Sequence, residues 1–195
     1  MNFYQLAGIF SGIITFIGLL IYAKSIVAGP TKPSATTWLI WTINSFLLMS
    51  SYIASGAKET AWLALAYAIG LTIITILTLK IGEIIWNRLD QVCLLGAIIG
   101  AILWWITGSS LIALIASLVI DLFGVIPTIQ KSWSHPEEES KLGWSILLVG
   151  GIISIFAIKD WSITVAAYPI QITLTTALIV VFLFWPSTKG TSVHI

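Results

Sequence analysis

An internal repeat limits what this chain can fold into more than any other feature of its sequence. Residues 17–38 match residues 123–144 at a constant offset of 106 positions without a gap, through Gly18 and Gly124, Pro30 and Pro136, and Trp38 and Trp144. A second match at an offset of 101 pairs residues 58–75 with residues 159–176, and it includes Tyr67 with Tyr168. Three apolar spans lie in each half of the chain. The pattern therefore predicts two related halves of three helices each.

The apolar composition places the chain in a membrane. Of its 195 residues, 58% are hydrophobic and 9% are charged, and the apolar runs approach the roughly 20 residues that a helix needs to cross a bilayer. These values predict an all-α integral membrane protein with one bundle and no separate soluble domain. A net charge of +1 gives no indication of a nucleic-acid partner. The single cysteine, Cys93, excludes an internal disulfide.

The order of the spans predicts seven transmembrane helices in a 3+1+3 arrangement. Apolar spans are expected near residues 4–23, 37–55, 61–79, 91–107, 110–130, 142–158 and 163–185. Three spans turn the chain over, so a second half in the same orientation needs a linker with an odd number of crossings. We therefore expect a first three-helix unit at 1–80, a linker with the fourth helix at 81–109, a parallel second unit at 110–186 and a cytoplasmic tail at 187–195.

Basic residues are distributed unevenly between the predicted loops. Only Lys58 and Lys159 fall on one side of the membrane; the other side carries Lys24, Lys32, Lys80, Arg88, Lys131, Lys141 and Lys189. By the positive-inside rule, this places the N terminus outside and the C terminus in the cytoplasm, in a multi-pass protein of the cytoplasmic (inner) membrane. The tryptophans, Trp38 and Trp144 among them, are interpreted as anchors at the membrane interfaces.

This organisation resembles the SWEET and PQ-loop (MtN3-like) transporter superfamily. The family's Pro-x-x-Gln motif is matched by Pro127 and Gln130 in the second half, whereas Ile21 and Lys24 stand at the matching positions of the first half. The resemblance implies a transport function and a hinge role for Pro127 and Gln130, because prolines there accompany the bending that alternates access. It extends to a seven-helix bacterial branch, through sequences such as 29–33 and 135–139, for which it implies a fold and no particular substrate.

Asp121 is the acidic residue well inside a predicted span. An ionised carboxylate at that depth costs several kcal/mol unless it is paired, hydrated or protonated, so we expect its side chain to face the bundle interior. It is interpreted either as a proton-coupling or substrate-binding group, or as a structural hydrogen-bonding group. Its counterpart in the repeat is Thr15, so any coupling would be asymmetric.

Other polar and aromatic side chains are candidate ligands for a neutral polar solute. Aromatic faces stack on sugar-like rings and amides satisfy hydroxyls, which makes Trp41, Asn44, Tyr67, Tyr168 and Gln171 candidate substrate-binding residues beside Asp121. SWEET-like proteins similarly frame their pocket with Asn and Trp, although there the Asn lies on the third helix of each unit. The alternatives are that Asn44 is a structural contact between helices and that the two tyrosines are interface anchors.

Residues 135–139, with the sequence HPEEE, are not interpreted as a metal site, because such sites usually combine more ligands at fixed spacing. The acids are expected to favour the positive end of the sixth helix. No cofactor is expected. Since the sequence has no Ser-His-Asp set, no HExxH motif and no phosphate loop, an enzyme is not expected either.

Two functions remain open from the sequence. The first is a carrier for a small neutral or weakly charged polar metabolite, sugar-like or vitamin-like, that works by alternating access between the two units. The second is a non-transporting membrane subunit or receptor-like interaction protein with the same fold. A cavity reaching Asp121 favours the first and a sealed interior the second. Expected partners are a small-molecule substrate and the lipid bilayer, without nucleic acid; a homo-oligomer is left open.

Overall fold

The computed structural model describes residues 1–33, 35–81 and 88–185, and for a few of these, Pro127 and Cys93 among them, it describes the backbone only. These ranges form α1 (Phe3–Val27), α2 (Ala35–Ala54), α3 (Ala61–Ile81), α4 (Arg88–Thr107), α5 (Ser110–Ser134), a 3-10 turn (Pro136–Glu138), α6 (Lys141–Phe156) and α7 (Ile163–Phe184). Each predicted span coincides with one helix, and α1 and α5 extend furthest beyond their predicted ends. The expected tail at 187–195 lies outside the described residues.

Among the described residues, four helices are long and apolar enough to cross a membrane, namely α1, α3, α5 and α7, and α6 is a shorter apolar helix. Such a set of helices is compatible with a multi-pass membrane protein. The polar content of α2 has a structural reason: Thr42, Asn44, Ser45 and Ser51 are buried against the other helices. Polar side chains that face a bundle interior lower the hydropathy of a helix without exposing them to lipid.

The two halves of the chain pack in the same way. In the first half, α3 packs against both α1 and α2; in the second half, α7 packs against both α5 and α6. The third helix of each half is therefore the central one. The halves meet where α1 packs on α6 and α2 packs on α5, while α4 packs mainly on α5.

Individual contacts between the halves recur at the offset of the repeat. The Ser11 hydroxyl on α1 donates a hydrogen bond to the carbonyl of Gly150 on α6 at 2.9 Å, and the Asn44 amide on α2 donates to the carbonyl of Ser117 on α5 at 3.0 Å. Ser11 and Ser117 are repeat equivalents, and so are Asn44 and Gly150. The α1–α6 and α2–α5 contacts are thus two copies of one interface, as a two-fold axis requires.

Two glycines allow the same close approach at both copies of this interface. A Cβ atom at Gly18 would lie 3.1 Å from Leu147, and a Cβ atom at Gly124 would lie 2.3 Å from Nε1 of Trp41. Leu147 is the repeat equivalent of Trp41. Ser11 contacts Gly150, whereas Gly18, which is later on α1, lies against Leu147, which is earlier on α6. The two helices are therefore antiparallel. The same holds for α5 and α2, and the two halves therefore point in the same direction.

The expectation of interface anchors is wrong for two of the tryptophans. Trp38 and Trp144 are buried, and the ring of Tyr22 lies between them, with centroid distances of 4.8 and 5.8 Å. Trp105 and Trp161, in contrast, are exposed. Sequence position near a helix end does not reveal which way a tryptophan points, and these repeat-equivalent indoles face the other half.

Candidate functional site

A cavity of about 40 Å³ lies between the two halves. A cavity of this volume is large enough to hold water. Every helix except α4 contributes to its lining, which consists of Leu19, Trp38, Trp41, Asn44, Ser45, Leu48, Tyr67, Leu71, Asp121, Val125, Trp144, Leu147, Tyr168, Ile172, Thr175, Thr176 and Ile179. The cavity is therefore surrounded by helices of both halves.

The structure brings together the six residues that the sequence nominated for substrate binding. Trp41, Asn44, Tyr67, Asp121 and Tyr168 line the cavity, and Gln171 contacts Asp121 from α7. They come from α2, α3, α5 and α7 and lie up to 130 positions apart in the chain. These residues therefore lie at one place in the structure. Their role in substrate binding remains a prediction.

Asp121 points into the bundle, as expected. Nε2 of Gln171 donates to its Oδ2 at 3.2 Å, and the same nitrogen lies 2.9 Å from the carbonyl oxygen of Leu118. The carboxylate thus contacts an amide and lines the cavity, which confirms the predicted inward orientation. A single neutral donor leaves the carboxylate with unused capacity to accept hydrogen bonds.

Two buried polar groups of α2 have no hydrogen-bond partner among the described residues. Asn44 uses its Nδ2 for the Ser117 carbonyl, and its Oδ1 has no donor; Nε1 of Trp41 has no acceptor. Both side chains are more than nine-tenths buried. Leaving such groups unpaired costs about 1–3 kcal/mol each. Neither atom is accessible to water in this conformation, so the side chains must shift before a ligand or water can pair with them.

Tyr67 and Tyr168 line the cavity near the starts of α3 and α7. Their rings meet edge to face with centroids 6.4 Å apart, and both are buried, so the alternative that they are interface anchors is wrong. They are also repeat equivalents. Two equivalent residues can touch each other only beside the axis that relates them, so the axis passes between these rings.

A second pair of repeat equivalents meets at the opposite end of the bundle. Lys32 Nζ lies 2.8 Å from Oε1 of Glu138, and the backbone N–H of Lys32 donates to the Glu138 carbonyl at 3.1 Å. This ion pair raises the pKa of Lys32, and it lowers the pKa of Glu138 chiefly through the hydrogen bond from Lys32. The axis thus runs from the tyrosine pair to this ion pair, roughly along the helices.

Glu139 makes contacts that the sequence did not reveal. The acids of residues 137–139 directly precede the N-cap of α6, Ser140. Glu139 is buried, and its Oε2 accepts hydrogen bonds from the Tyr22 hydroxyl and from Nε1 of Trp144, both at 2.9 Å. Lys131 lies 3.4 Å from its other oxygen. The carboxylate therefore joins the ends of α1, α5 and α6 below the cavity.

The sequence analysis missed Pro169, which lies inside α7 next to Tyr168. A proline has no N–H to donate to the carbonyl four residues earlier, here that of Val165. The hydroxyl of Tyr52, from α2, donates to this carbonyl instead. The proline within an apolar run was visible in the sequence. The hydroxyl that pairs with the Val165 carbonyl was not, because Tyr52 lies 113 residues from Val165.

The predicted hinge is only partly described. Position 127 lies within α5, but the side chain of Pro127 is outside the described part of the structure. Gln130 is exposed and does not line the cavity. The hinge role of both residues remains a prediction. Among the described residues there is no cluster of three or more His, Cys, Asp or Glu side chains that could hold a metal ion.

Comparison of the chain with protein-family models, with curated proteins and with solved structures found no match.

Proposed function

We propose that this chain is a multi-pass membrane carrier for a small polar solute, which it passes between two three-helix units by alternating access. The observation that carries this proposal is the position of the cavity. It lies on the axis that relates the halves, and repeat-equivalent aromatic pairs bound it at both ends: Trp38 with Trp144, and Tyr67 with Tyr168. A site at a repeat interface is typical of secondary transporters.

The proposed architecture is 3+1+3, with α4 as the linker and all seven helices spanning the bilayer. Its support is the duplicated α1–α6 and α2–α5 contact, the common direction of the halves and the central place of α3 and α7. The uneven distribution of basic residues favours an N terminus outside and a C terminus in the cytoplasm. The ion pair of Lys32 and Glu138 then lies at the cytoplasmic end.

Alternating access requires both ends of the cavity to open in turn. At the cytoplasmic end, α1, α5 and α6 are joined through Glu139, and the loops through Lys32 and Glu138. These contacts are polar and lie partly at the surface, where exposed ion pairs contribute only about 0–1 kcal/mol. At the outer end the closure consists mainly of aromatic rings. Neither closure needs covalent rearrangement, so a rocking motion of the units could separate either one.

Two observations favour the second candidate, a non-transporting membrane subunit or receptor-like protein. The cavity has a volume of only about 40 Å³, and the first half has Ile21 where the resemblance places a hinge proline. A bundle that never opens would have such an interior. The two functions differ in whether the cavity becomes accessible to water from each side.

Cysteine accessibility separates the two functions. With Cys93 replaced by Ser, the chain has no other cysteine, and Ser45→Cys then places one thiol in the cavity. For a carrier we expect a membrane-impermeant thiol reagent to label it in both right-side-out and inverted vesicles. Ser11→Cys is the control, because Ser11 is fully buried between α1 and α6 and does not line the cavity. Absence of labelling at Ser45 from both sides would favour the sealed subunit.

A further inference from the structure

The charge of the cavity is unbalanced. Asp121 supplies a carboxylate to the cavity, and among the described residues of the lining there is no Lys, Arg or His. The described Lys and Arg residues all lie at helix ends or in the connections between helices. The partner of Asp121 within the protein is the neutral amide of Gln171. A carboxylate inside a membrane bundle needs a positive counterpart or a proton, and the described protein supplies no cationic side chain there.

The uncompensated polar groups next to this carboxylate include a second acceptor. Asn44 must direct its Nδ2 at the Ser117 carbonyl, because the opposite amide orientation would place two oxygens together. Its Oδ1 therefore remains an acceptor without a donor. The repeat equivalents of Asn44 and Asp121 are Gly150 and Thr15, and a Cβ atom at Gly150 would lie 2.3 Å from Oγ1 of Thr15. Gly150 and Thr15 are thus neighbours on α6 and α1. By the repeat, Asn44 on α2 and Asp121 on α5 are expected to be neighbours in the same way.

Aromatic rings supply the rest of the wall. Trp41, Tyr67 and Tyr168 line the same cavity, and the face of an aromatic ring attracts a cation within about 6 Å of its centre. A carboxylate, an unpaired amide oxygen and aromatic faces all favour positive charge and N–H donors. An anion would meet repulsion from Asp121 and find no basic side chain in this lining.

We infer that the ligand of this site is a small organic monocation with N–H donors, of the guanidinium or ammonium class. This inference rests on the proposed carrier function and specifies its substrate class. The N–H groups pair with Asp121, and with Oδ1 of Asn44 once a shift of the Asn44 side chain makes this buried atom accessible. The cation lies against the aromatic rings. The cavity has a volume of about 40 Å³, so the ligand that it holds in this conformation has only a few heavy atoms.

Guanidinium and urea form the matched pair that tests this inference, because both are planar, have four heavy atoms and carry N–H donors, and they differ in charge. The purified protein is reconstituted into liposomes, and the uptake of each radiolabelled compound is measured beside its thermal shift. We expect guanidinium to be taken up saturably and to be preferred over urea at least tenfold. Asp121→Asn should abolish this preference. Asp160→Asn, which removes a carboxylate from the exposed turn before α7, should retain it.

The outcomes distinguish the substrate class from the carrier function. Stabilisation by guanidinium without uptake would support the cation site and contradict the carrier. Saturable uptake of urea, or of a neutral polyol such as erythritol, in preference to guanidinium would support the carrier and overturn the cation inference. No stabilisation and no uptake with guanidinium or methylammonium would also overturn it. If Asp121→Asn does not fold, the preference of the unmodified protein for guanidinium or urea decides the question by itself.

Discussion

A methyl group at position 124 tests the close contact between α5 and α2. In the structure, a Cβ atom there would lie 2.3 Å from Nε1 and 3.0 Å from Cδ1 of Trp41, whereas ordinary van der Waals contacts begin at 3.4 Å. The indole would have to retreat by about 1 Å, and it is rigid, buried and part of the cavity wall. Gly124→Ala is therefore expected to overpack the interface between the two halves.

The size of this effect follows from comparison with Gly96→Ala on α4. A Cβ atom at Gly96 meets Ile120 at 3.5 Å, which is an ordinary contact. Both substitutions gain about 1 kcal/mol from the higher helix propensity of Ala, so this gain cancels in the difference. Overpacking of a well-packed interior costs about 1–3 kcal/mol. We therefore expect Gly124→Ala to be less stable than Gly96→Ala by that amount, or by roughly 2–4 °C in Tm for each kcal/mol.

Thermal unfolding of the purified variants in one detergent measures this difference. Trp41→Phe, which shortens the ring system, should relieve the overpacking, so that Gly124→Ala costs at least about 0.5 kcal/mol less in that background. The reasoning is refuted if Gly124→Ala is as stable as Gly96→Ala, or if its cost is the same with Phe at position 41. Either result would mean that Trp41 does not lie on Gly124.

Four further predictions concern individual polar groups. Tyr52→Phe should destabilise the fold by about 1–3 kcal/mol, because it leaves the Val165 carbonyl without a donor, whereas Tyr4→Phe at an exposed site should not; chemical denaturation compares them. Glu139→Gln should lower stability by about 1–3 kcal/mol through lost charged hydrogen bonds, while Glu138→Gln, which removes an exposed ion pair, should cost less at neutral pH. Because the pKa of Glu138 is lowered, its ion pair with Lys32 stabilises the fold near neutral pH. This contribution is lost as the pH falls through that lowered pKa. Unfolding titrations should therefore show a smaller loss of stability in acid for Glu138→Gln than for the unmodified chain. Asp121→Asn should preserve folding but remove any pH dependence of uptake, and a variant that misfolds while uptake by the parent is insensitive to pH would mark Asp121 as structural.

Local pattern predicted the helices and the repeat, because both leave regular signals in the sequence. The identities that revealed the repeat have physical counterparts: Gly18 and Gly124 allow the close approach of helices, and Trp38 and Trp144 bound the cavity. The inward orientation of Asp121 was also predictable, since the cost of exposing a carboxylate to lipid leaves no other placement.

The remaining features depend on contacts between distant positions, which no local pattern reveals. The Tyr22 hydroxyl meets Glu139 across 117 residues, and Tyr52 meets Val165 across 113. From sequence alone, a tyrosine near a helix end can be interpreted equally well as a membrane-interface anchor or as a hydrogen-bond donor inside the bundle. The direction of a side chain is determined only once the neighbouring helices are in place. For this reason the sequence misassigned the buried tryptophans and did not reveal the contacts of Glu139.

The positions at which the two halves differ supply the chemistry of the site. Symmetry gives the cavity its closed ends, through paired tryptophans and paired tyrosines, but it cannot give a single charge. Asp121 stands where the first half has Thr15, and Gln171, which holds it, stands where the first half has Gly70. A carboxylate at both equivalent positions would place two like charges across one small cavity and raise the cost of burying them. One carboxylate is compensated by one monovalent cation, so the asymmetry of the repeat and the proposed charge of the ligand have the same physical origin.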